Sequence, residues 1–171
     1  MIIENKLIGN KNNKDLYNNL LGQLLPKYLI LYIEPFGGQF GLYEMLNRKP
    51  TFSVYNDINT ELYEQVKNRF ENENEKIYFF NKDYKEVMRN YNVENAFFYI
   101  DPPYYEKFYY KYNFAEKDHI ELYEELKNIK GRFLLSYQDR PFIRKLYKGY
   151  NFYKYTGNNF MLKPEIAITN Y

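Results

Sequence analysis

A chain of 171 residues is long enough to build one hydrophobic core, and we expect a single domain over residues 1–171. It holds no cysteine and one histidine, which excludes disulfides and cysteine metal sites and argues against a histidine-based metal site. With a net charge of +2, no signal-peptide pattern and no bilayer-length apolar run, it is expected to be soluble and cytoplasmic, with no metal and no membrane partner.

Six short apolar runs, rich in β-branched or aromatic residues, predict buried strands. They span residues 29–33, 52–55, 77–80, 96–100, 133–135 and 166–168. Apolar residues at helical spacing lie between several of them. These predict helices around 16–24, ended by Pro26; at 62–70, capped by Asn59 or Thr60; at 120–129, closed by Gly131; and at 142–147. Strands that alternate with helices predict an α/β fold of three layers, with a mostly parallel sheet covered by helices on both faces.

Ligands of such sheets bind outside the carboxyl ends of the strands, so we inspected the residue types that follow each run. Residues 34–41 follow the first run, and their glycines allow a tight turn and close approach of the backbone to a cofactor. Asp57 follows the second run, about 20 residues after Gly37, a spacing at which a carboxylate reaches ribose hydroxyls. It could instead cap a helix. Asp83 follows the third run and could accept a hydrogen bond from an adenine amino group, or cap a helix.

The strongest motif is Asp-Pro-Pro-Tyr at residues 101–104, directly after the fourth apolar run. At ordinary proline usage, this tetrapeptide should arise by chance in roughly one chain of this length in a thousand. Its structural alternative is a proline turn that merely ends a strand. Its place at a strand end, after three other candidate ligand loops, favours a role in chemistry.

Together these motifs resemble, in order and over nearly the whole chain, those of the Dam-like adenine-N6 DNA methyltransferases. Phe40 stands where that family commonly has a small residue, and Asn10 departs from its Gly-Gly-Lys element. The first matching segments are 9–11, the cofactor loop 34–38, the ribose motif 56–59, the acidic-aromatic pair 83–84 and the catalytic motif 101–104. Later motifs match at 118–119, 134–137 and 165–171. The match at 165–171 suggests a natural C-terminus. The resemblance implies a Rossmann-like S-adenosylmethionine-dependent methyltransferase fold and methylation of adenine N6 in DNA.

The resemblance also implies a set of site residues. Residues expected to bind S-adenosylmethionine are Lys11, Glu34, Pro35, Phe36, Gly37, Gly38, Asp57, Ile58, Asp83, Tyr84 and Asp101, with Lys11 near the cofactor or the target base. The catalytic residues would be Asp101, Pro102, Pro103 and Tyr104. Asp101 and the Pro102 carbonyl would accept the two amino hydrogens, which localises the nitrogen lone pair, while Tyr104 stacks on a base that has left the duplex.

Larger relatives insert a target-recognition domain between the third and fourth motifs, where this chain has only residues 85–100. The chain therefore has no evident element that recognises a DNA target sequence. A second subunit or specificity partner is one way to provide that recognition. The candidate DNA-contacting segment is 105–114, in which Lys107, Tyr109 and Lys111 combine cations with stacking faces. The alternative is a surface loop whose tyrosines reflect composition.

Replacing Lys107 and Lys111 with alanine is expected to lower DNA affinity and flatten its salt dependence, because phosphate contacts release counterions. Cofactor binding should be unchanged. Binding titrations across salt concentrations measure both effects.

Two other functions remain open from the sequence. The same site could methylate adenine in RNA or single-stranded DNA, because no separate recognition domain is evident. The chain could also be a non-catalytic nucleic-acid-binding or partner-binding module that retains the fold, although intact Asp57, Asp83 and Asp101 argue against this.

Overall fold

The computed structural model describes residues 21–72, 76–105, 112–155 and 165–171. Strands and helices alternate along these segments, as the hydrophobic pattern predicts. The strands are β1 (Leu31–Glu34), β2 (Phe52–Asn56), β3 (Ile77–Phe80), β4 (Ala96–Ile100), β5 (Arg132–Gln138), β6 (Asn151–Tyr155) and β7 (Glu165–Thr169). The helices are α1 (Gly22–Leu24), α2 (Gly41–Met45), α3 (Thr60–Phe70), α4 (Tyr84–Asn90), α5 (Glu116–Lys127) and α6 (Pro141–Leu146).

In the described part of the chain the strands form one seven-stranded sheet of order β3-β2-β1-β4-β5-β7-β6. Strands β1 to β5 are mutually parallel, whereas β7 runs antiparallel to both of its neighbours. The chain order reverses at β1 and β4, which lie side by side. Loops that leave the carboxyl ends of these two strands turn in opposite directions, and this opens a crevice of the kind in which open α/β sheets bind ligands.

Apolar side chains on both faces of the sheet form the core. One face carries Ile33, Phe98 and Ile100 and packs against α4, α5 and α6. The other carries Tyr32 and Phe97 and packs against α2 and α3. Alternate residues of a strand point to opposite faces, so the fully buried run 96–100 marks β4 as a central strand covered on both sides. The predicted α/β fold with helices on both faces is therefore confirmed.

The structure differs from the predicted elements at the ends of the chain. Strand β6 was not predicted, because Asn151–Tyr155 lacks a compact apolar run and pairs only with β7 at the sheet edge. Of the first predicted helix, residues 22–24 are helical and 16–20 lie outside the described residues. No helix among the described residues has the length and apolarity needed to cross a bilayer.

Candidate active site

Asn56 at the end of β2 holds together the loops that follow β1 and β3. Its side chain is fully buried, and its amide nitrogen donates to the carbonyls of Pro35 (2.9 Å) and Lys82 (3.0 Å). Its side-chain oxygen accepts the Lys82 backbone N–H at 3.0 Å, and its own carbonyl accepts the Gly37 N–H at 2.7 Å. Satisfying every polar atom of a buried amide in this way fixes the relative positions of three strand ends.

The glycine loop after β1 is shaped by Tyr55 of β2. A Cβ on Gly37 would lie 2.3 Å from the Tyr55 ring, so this position has no room for a side chain. Gly38 adopts a positive φ of 50°, donates its N–H to the Asp57 carboxylate (2.9 Å) and accepts the Tyr55 hydroxyl (2.9 Å). Gly37 is thus buried against Tyr55, whereas Gly38 is partly exposed with open space where a side chain would stand, which fits close approach of a nucleotide cofactor.

Phe40 also lies in the left-handed region, with φ 60°, where a side chain costs about 1–2 kcal/mol. Its ring is fully buried and stacks on Tyr43, with ring centres 4.3 Å apart and planes 4° from parallel. Aromatic packing of this kind contributes enough to offset the strain. The bulky residue is therefore compatible with the loop, despite its departure from the family pattern.

Replacing Gly37 with alanine is expected to destabilise the fold by about 1–3 kcal/mol and to impair cofactor binding, because the new Cβ displaces Tyr55. Gly38→Ala is the matched control. Its Cβ meets no atom within 4 Å, so only backbone strain of about 1 kcal/mol is expected. Thermal unfolding and calorimetry with the cofactor measure both. Equal behaviour of the two variants would contradict the steric argument.

Asp57 connects the ribose motif to the glycine loop. One carboxylate oxygen accepts the Gly38 N–H, and the other accepts the Asn59 N–H at 2.8 Å. Burial raises the pKa of Asp57, and these two bonds partly offset that effect. The cap of α3 is Asn59, whose side chain accepts the Glu61 N–H, so the helix-cap reading of Asp57 is wrong. Each oxygen retains a lone pair, which leaves Asp57 able to accept ribose hydroxyls. Ile58 beside it is 46% exposed.

Asp83 and Tyr84 begin α4 at the next strand end. The Asp83 side chain caps this helix by accepting the Lys85 N–H at 2.8 Å, as the capping alternative predicted. Tyr84 is buried, and its ring lies 4.8 Å from Phe36 of the cofactor loop. This ring contact packs the loop after β1 against the start of α4.

Two carboxyl groups meet where β1 and β4 end. Glu34 is 2% exposed and accepts the Tyr32 hydroxyl at 2.5 Å. Burial raises the pKa of Glu34 to about 8; the Tyr32 hydrogen bond opposes this rise, and the neighbouring charge of Asp101 adds a smaller upward shift. Glu34 is therefore mostly neutral at pH 7. A cation bound beside Glu34 would favour the ionised form of this carboxyl group, so the pair suits a cationic ligand such as the sulfonium of S-adenosylmethionine.

Glu34 should make the protein less stable at higher pH. Its pKa is about 4.5 in the unfolded chain and about 8 when folded, so its contribution is complete below pH 4.5 and is lost as pH rises through 8. Relative to Glu34→Gln, the free energy of unfolding of the wild-type protein is expected to fall by roughly 3 kcal/mol between about pH 5 and pH 8.

Urea unfolding of both proteins across this pH range measures the difference, and Glu94→Gln at an exposed position is the control. Parallel curves for the wild-type protein and Glu34→Gln would show that Glu34 is ionised in the folded state.

The Asp-Pro-Pro-Tyr segment directly follows β4. Asp101 and Pro103 are partly buried, whereas Pro102 and Tyr104 are buried. Tyr104 is 9% exposed and its hydroxyl lies 3.1 Å from Ser136 Oγ on β5. The motif is therefore anchored to the neighbouring strand, and the stacking role of Tyr104 stays a prediction.

The structure brings most of the expected site residues to one edge of the sheet. The loops carrying 34–38, 57–58, 83–84 and 101–104 all follow the carboxyl ends of adjacent parallel strands. Lys11, Lys107, Tyr109 and Lys111 lie outside the described residues. Among the described residues, no group of three or more histidine, cysteine or carboxylate side chains could hold a metal.

Three polar residues support this edge, and sequence reasoning assigned none of them an individual role, although Asn56 and Ser136 lie within matched motifs. Asn56 clamps the loops, Tyr55 shapes the glycine turn, and Ser136 bonds Tyr104. Asn56 directly follows an apolar run, and a polar residue in that position is often buried and needs hydrogen-bond partners. This was the signal in the sequence that could have identified its role. Nothing local in the sequence identifies the partners of Tyr55 or Ser136.

A comparison with known protein families places the chain among methyltransferases. The family model for D12 class N6 adenine-specific DNA methyltransferase matches residues 64–159, more than half of the chain. No curated protein matches the sequence.

Several solved structures share the fold at low sequence identity. A SAM-dependent methyltransferase from Leishmania major has TM-score 0.64 and 10% identity, covering 92% of this chain and 72% of that one. An rRNA methylase from Streptococcus thermophilus has TM-score 0.59 and 12% identity, covering 90% and 93%. Magnesium protoporphyrin IX methyltransferase from Synechocystis, solved with bound SAM, has TM-score 0.61 and 11% identity, covering 92% and 79%. The shared architecture is that of S-adenosylmethionine-dependent methyltransferases.

Proposed function

Because the chain belongs to the D12 class N6 adenine-specific DNA methyltransferase family, we propose that it methylates the N6 amino group of adenine in DNA. It is a methyltransferase whose cofactor is S-adenosylmethionine. The observation that carries the proposal is the position of Asp101-Pro102-Pro103-Tyr104. This motif follows β4 at the point where the strand order reverses, next to the glycine loop after β1.

The residues present fit the cofactor. Gly38 is partly exposed with open space where a side chain would stand, Asp57 can accept hydroxyl groups, and the carboxyl pair of Glu34 and Asp101 suits a positive charge. When bound, S-adenosylmethionine supplies an electrophilic methyl group on a sulfonium. The protein's own contribution is to bind it at this edge and exclude water from the crevice.

The target amino group needs activation because its lone pair is delocalised into the adenine ring. The Asp101 carboxylate and the Pro102 carbonyl accept its two N–H groups, which localises the lone pair on nitrogen. Asp101 also stabilises the positive charge that develops on nitrogen during transfer. Proline rigidity keeps both acceptors in place, so positioning and electrostatics account for much of the rate.

DNA is the proposed partner, with a short or relaxed recognition sequence unless a second subunit or specificity partner extends the footprint. A single small domain has few surfaces with which to read a groove. Lys107, Tyr109 and Lys111 directly follow the catalytic motif in sequence, which supports a role in holding the DNA.

The experiment compares methyl transfer to duplex DNA, single-stranded DNA and RNA of the same sequence. Radiolabelled S-adenosylmethionine measures the rate, and mass spectrometry of nucleosides identifies the product. We expect N6-methyladenine in duplex DNA, and mapping its positions gives the recognised site. Methylation confined to RNA, or methylation of another base, would overturn the proposal. Cofactor binding without transfer to any nucleic acid would favour a non-catalytic module.

A further inference from the structure

His119 is the chain's single histidine and lies in the first turn of α5, entirely buried. Its Nδ1 is 2.8 Å from the hydroxyl of Tyr137 on β5. Within the described residues, its Nε2 has no hydrogen-bond partner. Burial lowers the pKa of His119 to about 4, so the imidazole is neutral at physiological pH. An apolar side chain would fill this space without burying polar nitrogens, which suggests that the imidazole serves more than packing.

The His119 ring is surrounded by aromatic residues that border the catalytic motif. Tyr105, the residue after that motif, lies edge-on to it at 5.5 Å between ring centres. Phe114, just before α5, lies edge-on at 5.3 Å. Tyr105 also stacks on Phe142 of α6 at 4.6 Å, and Phe114 reaches Phe36 of the cofactor loop at 5.6 Å. The His119 imidazole therefore contacts Tyr105 and Phe114, the first and last residues between the catalytic motif and the residue before α5.

Tyr137 connects the same imidazole to the catalytic motif. The Tyr137 ring lies 6.1 Å from the Tyr104 ring, and the adjacent Ser136 bonds the Tyr104 hydroxyl at 3.1 Å. His119 and Tyr104 are thus tied to consecutive, fully buried residues of one rigid strand. A change in the His119 position reaches Tyr104 through Tyr137 and Tyr105 through direct ring contact.

We propose that His119 is a positioning residue for the target base: with Tyr137 it holds Tyr104, Tyr105 and Phe114 in the arrangement that receives the extruded nucleotide. This rests on the proposed function, because it assumes a nucleic-acid base as the methyl acceptor. His119 itself touches neither base nor cofactor. Its loss therefore reduces transfer and nucleic-acid binding and leaves cofactor binding intact.

The test uses His119→Phe, which keeps a ring of similar size and removes both nitrogens, and Tyr137→Phe, which removes only the hydroxyl. We expect each single variant to lower kcat about tenfold and to raise KM for the nucleic acid, with the S-adenosylmethionine Kd within about twofold. The double variant should be no slower than either single one, because residues that act as a unit are not additive. His119→Asn, which retains a polar atom near the Nδ1 position, should recover part of the activity relative to His119→Leu.

Active sites are counted by cofactor-binding stoichiometry, so loss of folded protein is separated from loss of turnover. Values of kcat and KM within twofold of wild type for folded His119→Phe would overturn the positioning role, as would fully additive effects. The substrate is whichever nucleic acid the wild-type protein methylates. If the wild-type protein methylates none, the proposed function fails on its own. Equal nucleic-acid affinity of wild type and His119→Phe would then overturn the His119 proposal separately, and a selective loss of affinity would support it.

Discussion

Asp101→Ala is expected to abolish methyl transfer, with kcat falling by at least about 10²–10³-fold, the usual effect of removing one preorganised hydrogen-bonding group that stabilises developing charge. The variant loses the carboxylate that we propose accepts the target N–H and stabilises the positive charge on nitrogen. Cofactor affinity should stay within several-fold, because the glycine loop and Asp57 keep their mutual contacts. Single-turnover assays with saturating cofactor and nucleic acid isolate this step from binding.

Asp101→Asn is the matched control for that experiment. Its amide oxygen still accepts one hydrogen bond but carries no charge, so an intermediate rate separates hydrogen bonding from charge stabilisation. Near-normal turnover by Asp101→Ala would remove the proposed mechanism. Equal damage from alanine and asparagine would show that the charge is the essential property.

Asp57→Ala is expected to weaken S-adenosylmethionine binding by about 10–100-fold, the range of a lost charge-assisted hydrogen bond. The variant removes the proposed acceptor for ribose hydroxyls and also releases the Gly38 and Asn59 backbone N–H groups. Loss of the hydroxyl acceptor and loss of the two backbone hydrogen bonds both affect the proposed cofactor-binding loops. Unlike Asp101→Ala, this variant should regain most of its turnover when the cofactor concentration is raised.

Calorimetry with S-adenosylmethionine measures the affinity, and Asp57→Asn is the comparison that keeps one oxygen acceptor. Unchanged affinity in Asp57→Ala is the outcome that refutes a ribose contact. If asparagine binds as weakly as alanine, both carboxylate oxygens are needed, since each accepts a backbone N–H in the structure.

Strands formed by unbroken apolar runs were predictable, including β3 at one edge of the sheet, whereas β6 at the other edge was not. Residues 96–100 form an unbroken apolar run, and β4 lies at the centre of the sheet. Strand β6, with polar Asn151 and Lys154, depends on β7 for its partner, so its local pattern resembles a surface segment. The composition of a run reports how buried it is, but not which strand lies beside it.

The sequence led to the expected site residues by the same reasoning that led to the strands. Because ligands of parallel sheets bind at carboxyl ends, reading the residues after each apolar run led to Gly37, Asp57, Asp83 and Asp101. Asp83 illustrates where this reasoning stops. Its sequence position is compatible with both a ligand contact and a helix cap, and the structure shows the cap.

Sequence alone determined the α/β class, the strand ends that carry the motifs and the position of the Asp-Pro-Pro-Tyr tetrapeptide after a buried strand, because burial periodicity and turn chemistry are local properties of the chain. The tertiary structure alone decided that β7 runs antiparallel between β5 and β6, that Asn56 joins the loops after β1 and β3, and that His119 is buried against Tyr137. Each of these depends on residues far apart in the chain that meet only after the strands have ordered in the sheet. Their energies come from packing and from partners for buried polar atoms, and neither is recorded in the spacing of residues along the sequence.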